Sequence, residues 1–230
     1  MTADRPDAAP PSPATTTATQ WRGLDALALE NEHLRVTVIP SMGGHVAELV
    51  DRAAGRDLLW HNPRATPRPA PYGAHFDNWW SGGWDEIFPG GDRSTLHDEP
   101  LPYMGELWCV PWAATLFAAS DGSEAAITAT GLGTVAAARF SRRLALRAGE
   151  PVLWASYRIE NLDVRPLPFT WGIHPALAVD AGHRIDLPAN GGMEVGISSD
   201  PSLGAIGQRY AWPSLPDPAA PDAEIGRAHV

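Results

Sequence analysis

From residue 34 the chain alternates. Leu34, Val36 and Val38 fall on one side, Arg35, Thr37 and Ile39 on the other, and Pro40 closes the run. A period of two marks a strand with one buried face. Residues 42–45 read as a turn, and residues 46–49 resume the extended pattern. Residues 51–57, around Gly55, turn the chain again before the apolar Leu58-Leu59-Trp60. Alternation returns over 125–130, 138–146 and 152–160; in the last of these Leu153, Ala155, Tyr157 and Ile159 share a face. Gly131-Leu132-Gly133, Ala148-Gly149-Glu150 and Asn161-Leu162-Asp163 supply turns between these runs. Residues 144–147 also fit a helical turn, but no amphipathic helix longer than two turns and no internal repeat emerges. Short strands punctuated by turn residues predict an all-β, antiparallel sandwich or barrel.

Two stretches break the alternation. Residues 1–20 are Pro, Ala, Thr and Asp with almost nothing large and apolar, so burial cannot offset their ordering entropy. They are expected to form a disordered tail, with order from Trp21 and one sandwich domain over 21–224. Residues 62–111 are crowded with Pro, Gly, Asp and Trp and hold neither period. Long irregular segments inside compact domains tend to be functional.

Composition narrows the chemistry. The net charge of −10 argues against nucleic-acid partners, which need a basic face, and against anionic membrane surfaces. All 17 cationic residues are Arg, which removes Schiff-base and phosphate-loop lysines. Cys109 alone can form neither an internal disulfide nor a Cys-based zinc site. No apolar run approaches the roughly 20 residues of a membrane span. Asp4 and Asp7 stand where a signal peptide would be basic. A soluble, cytoplasmic protein is expected. The sequence has no His-Glu-x-x-His, no dinucleotide fingerprint and no nucleophile elbow, so neither metal nor cofactor is expected.

The 10 Trp residues outnumber Tyr and Phe together, and five fall at 79, 80, 84, 108 and 112, in or beside the irregular stretch. An indole face packs against the C–H face of a sugar while carboxylates and amides hold its hydroxyls, and ligand pockets are mostly apolar with a few placed polar groups. Asp77-Asn78-Trp79-Trp80-Ser81-Gly82-Gly83-Trp84-Asp85-Glu86 combines these ingredients. Asp77 and Asn78 also suit a turn, and the large residues also suit a core. Glu106 is a further carboxylate between Gly105 and Leu107-Trp108. Among the histidines, His174 stands out: it follows Phe169-Thr170-Trp171-Gly172-Ile173 and precedes Pro175, which steers it to an extended backbone. Imidazole exchanges a proton near neutral pH, although a satisfied core histidine is the commoner fate of such a residue.

Taken in order, these segments resemble the galactose mutarotase-like superfamily, the aldose 1-epimerases and their relatives. The resemblance is carried by Leu29-Glu30-Asn31 through Pro40 with Gly43-Gly44-His45-Val46-Ala47-Glu48-Leu49 and Gly55-Arg56-Asp57-Leu58-Leu59, by Gly82-Gly83-Trp84-Asp85-Glu86-Ile87-Phe88-Pro89, by Gly105-Glu106-Leu107-Trp108, and by residues 157–161 with 166–175. It covers about residues 21–188. It implies an antiparallel β-sandwich and the interconversion of aldose anomers by general acid–base catalysis with ring opening, without cofactor or metal. His174 would be the general acid. His45, Asp77, Asp85 and Glu106 would contact the sugar, and Trp84 or Trp108 would stack on it. Two positions depart from the family: Met104 stands where a His often precedes Gly-Glu, and His45 where many members carry Arg. A non-catalytic carbohydrate-binding protein on the same scaffold is the alternative, and a lyase or isomerase of uronic or sulfonated sugars a third. Oligomeric state is not legible. Residues 225–230 look like a translated library adapter, and the family's catalytic glutamate comes from later strands. The chain is therefore expected to be a C-terminally truncated member with an artificial tail.

Overall fold

The computed structural model describes residues 10–180, 182–186, 192–196 and 204–212. In chain order the strands are β1 (Thr15–Trp21), β2 (Leu24–Glu30), β3 (Leu34–Ile39), β4 (His45–Asp51), β5 (Arg56–Asp57), β6 (Trp84–Ile87), β7 (Ser94–Leu96) and β8 (Glu99–Leu101). They continue with β9 (Ala113–Ala118), β10 (Glu124–Leu132), β11 (Ala138–Arg147), β12 (Trp154–Asn161), β13 (Gly172–Pro175), β14 (Gly192–Glu194) and β15 (Arg209–Ala211). No α-helix occurs among the described residues; residues 144–147 lie inside β11.

The chain divides into two compact units, residues 1–178 and 179–230. In the second unit β14 pairs antiparallel with β15, and Arg209 reaches Glu194 at 3.3 Å. Residues 225–230, expected to be an artificial tail, lie outside the described residues.

The first unit is an antiparallel β-sandwich. Its larger sheet runs β1-β2-β3-β4-β6-β13 with β5 beside β4; its smaller sheet runs β12-β11-β10-β9. Alternation decides what lies between them. Leu29, Val36, Val38, Val46 and Trp84 from the larger sheet meet Ala125, Ile127, Leu144 and Leu146 from the smaller. Apolar surface of this kind contributes about 25 cal/mol per Å² removed from water.

Order begins before Trp21. Residues 15–20, expected in the tail, form β1 together with Trp21 and pair in continuous register with β2. The turn between them is Arg22-Gly23, both with positive φ (47° and 83°), the conformation two-residue hairpin turns need. The threonines of β1 favour extended backbone. Upstream, Ala14 is buried in the sandwich interior and its N–H donates to the Gly122 carbonyl at 3.0 Å. The ladder and this tether, rather than an apolar stripe, order the segment.

The other face of the larger sheet is covered by the irregular stretch. Phe76, Met104, Trp108 and Cys109 form a separate buried cluster there, with Trp79, Trp80, Ile87 and Tyr103 against it.

Candidate functional site

Strand β6 places its side chains on two faces in turn. Trp84 and Glu86 point into the sandwich; Asp85 and Ile87 point toward the irregular stretch. The inward polar group is fully enclosed. Glu86 accepts from Arg142 Nη1 at 2.9 Å, Tyr157 Oη at 3.2 Å and Trp171 Nε1 at 3.0 Å. Arg142 also donates to the Gly44 carbonyl and lies between the rings of Trp84 and Trp112. Burial pushes the Glu86 carboxyl above the usual carboxylate range, against the guanidinium, indole and phenol that favour its charge.

The outward group is different. Asp85 Oδ1 lies 2.7 Å from His45 Nδ1, both side chains nearly excluded from solvent. His45 opens β4, in a strand pair whose register shifts between Thr37 and Val38. Its ring lies on Gly83: at φ 75°, a Cβ there would stand 2.5 Å from both Cε1 and Nε2. A side chain at position 83 would collide with the imidazole, so only glycine lets the ring pack there. On β13, His174 is directly opposite Asp85, so both project to the same face. Phe76 and Trp80 pack edge-on against the His174 ring, with centroids 5.6 and 5.3 Å away, and its Nδ1 is enclosed without a hydrogen-bond partner.

His45 and Asp85 form the floor of a cavity walled by Phe76, Trp79, Trp80 and Trp108, with Arg68 at its edge. Arg68 lies over the Trp79 ring, 4.2 Å from its centroid. The cavity measures about 20 Å³, room for about one water molecule. His174 lies behind the Phe76 and Trp80 walls.

Of the residues expected from the sequence, His45, Asp85 and Trp108 come together at this cavity, with His174 adjoining. Three do not. Trp84 is buried on the opposite face of β6, because strand alternation separates it from Asp85. Asp77 sits in a 3-10 turn (Phe76–Asn78) with its side chain exposed beside His75, matching the turn reading of that residue. Glu106 is fully buried and committed elsewhere. It accepts N–H bonds from Thr134 (3.0 Å), Val135 (2.8 Å) and Ala136 (2.9 Å) and the Tyr72 hydroxyl at 2.9 Å. Burial and that carboxylate hold the Tyr72 phenol protonated far above its ordinary value. Phe76 and Arg68 were not singled out from the sequence, and Trp79 and Trp80 were noted among the clustered Trp residues without a role of their own. The adjacent Trp79-Trp80 pair was a usable signal; Arg68, in a Pro-rich run, carried none. Among the described residues no cluster of three His, Cys, Asp or Glu side chains is arranged to hold a metal ion. No helix among them is long and apolar enough to cross a membrane.

Residues 13–107 match a family model described as "Domain of unknown function (DUF5107)". Among solved structures, the Slr1438 protein from Synechocystis sp. PCC 6803 aligns at 20% identity over 69% of this chain and 55% of its own, with a TM-score of 0.48. A TPR-domain containing protein from Parabacteroides distasonis ATCC 8503 aligns at 17% identity over 58% of this chain and 20% of its own, TM-score 0.41. A galactose mutarotase-like protein from Clostridium acetobutylicum aligns at 14% identity over 58% of this chain and 45% of its own, TM-score 0.39. The chain spans between a fifth and just over half of the length of these proteins.

Proposed function

We propose that this chain binds a pyranose against the aromatic wall of the cavity and interconverts its anomers by general acid–base catalysis, His174 acting as the proton donor. One observation carries the reading: His45, Asp85 and His174 share a single sheet face covered by Phe76, Trp79, Trp80 and Trp108. Aromatic faces suit the C–H surface of a sugar, and the polar floor suits its hydroxyls. Small-molecule sites usually run to about 300–1,000 Å³. Admission of a sugar therefore requires the wall to open; none of Phe76, Trp79, Trp80 and Trp108 lies on a strand, and Arg68 at the edge is exposed.

The test is exchange NMR on α- and β-anomers of D-glucose, D-galactose and D-mannose, with and without protein. Added exchange supports the reading. His174→Ala is expected to lower the exchange rate about 10²–10⁴-fold, the usual contribution of one positioned proton donor. An unchanged rate in that variant rejects the role of His174. A binding protein without catalysis is the second reading, favoured by the enclosure of His174 Nδ1 behind Phe76 and Trp80. Sugar-dependent shifts of the Trp resonances without added exchange would select it.

A further inference from the structure

We propose that His45, held by Asp85, is the second proton-transfer group of this site and takes the proton of the anomeric hydroxyl. The inference rests on the anomer-exchange reading above. Ring opening needs a base as well as an acid, and among the described residues Glu106, the buried carboxylate beside Trp108, is already engaged by three backbone N–H groups and a phenol, whereas His45 has a ring nitrogen without a partner. The His45–Asp85 pair is built for the task. With Asp85 Oδ1 at 2.7 Å from Nδ1, the carboxylate accepts the Nδ1–H, which leaves the lone pair of the neutral ring on Nε2. Nε2 has no hydrogen-bond partner among the described residues, the ring packs against the bare backbone of Gly83, and His45 lines the cavity.

The contrast with the other face of β6 separates function from packing. Arg142, Tyr157 and Trp171 occupy both oxygens of Glu86 inside the sandwich. The His45–Asp85 pair lines a cavity instead.

The step balances. His45 Nε2 takes the proton of the hydroxyl on C1, the O–H electron pair forms the C1=O bond, and the C1–ring-oxygen bond breaks. The ring oxygen keeps that pair and takes a proton from His174. Rotation about the bond from C1 to C2 presents the other carbonyl face. Reclosure returns one proton to His174 and takes one from His45. Asp85 positions the ring and stabilises the imidazolium that forms, without itself being protonated.

The experiment combines kinetics with imidazole ¹⁵N spectra of the full chain. His45→Asn, which retains a donor for Asp85, is expected to lower kcat about 10²–10⁴-fold with KM changed only a few-fold. Asp85→Asn is expected to do the same by inverting the His45 tautomer. In the wild-type protein His45 should be the Nδ1–H tautomer; an Nε2–H tautomer overturns the proposal whether or not any variant folds. Exchange that survives His45→Asn overturns it alone. Absence of exchange in the wild type overturns it together with the proposed function.

Discussion

Asp85 and Glu86 are neighbours in sequence with opposite fates. One faces an aromatic cavity and holds an imidazole; the other faces the interior and is enclosed by three donors. Glu106 shows how a carboxylate among large apolar residues becomes structural: the loop after β10 aims three N–H groups at it. Glu106→Ala removes the acceptor of three backbone N–H groups and of the Tyr72 hydroxyl, at roughly 1–3 kcal/mol for each donor that water does not reach, the buried Ala136 N–H first among them. A net loss of about 3–5 kcal/mol in urea unfolding is expected, allowing for relaxation of the loop. A near-silent variant would remove the carboxylate from the role of anchor.

β1 and β6 illustrate two ways in which a short segment acquires its place. β6 carries the alternation of Trp84, Asp85, Glu86 and Ile87; β4 and β13 pair its two edges, and the sandwich interior and the irregular stretch cover its two faces. β1 carries almost no apolar stripe and depends on its partner. Deleting residues 1–20 removes the β2 ladder and the Ala14 tether to Gly122, and the urea midpoint should fall by the equivalent of at least about 2 kcal/mol. Removal of a mere tail would leave that midpoint unchanged.

The two sheets are joined across their interior by a polar link as well as by apolar side chains. Arg142 on β11 pairs with Glu86 on β6, and both are essentially inaccessible to water. Breaking one partner of such a pair strands a buried charge. Arg142→Met should cost roughly 3–5 kcal/mol, and adding Glu86→Leu should recover much of the loss, because a buried pair is often replaceable by apolar residues. Chemical denaturation of the single and double variants checks this. Additive losses would mean that the two side chains act independently.

The all-β class, the strand at 34–39, the alternating run at 138–146 and the unusual character of 62–111 were legible in the sequence, because period-two alternation and turn residues are local properties. His174 beside Pro175 was legible in the same way. The pairing of His45 with Asp85 was not: the residues are 40 positions apart and meet only because β4 and β6 are neighbours. Nor could local pattern tell Asp85 from Glu86 or Glu106 as a cavity carboxylate, since the face of a strand toward a core depends on what packs there. β1 was missed for the same physical reason: its order comes from a hydrogen-bond ladder with β2, a property of two segments and not of one.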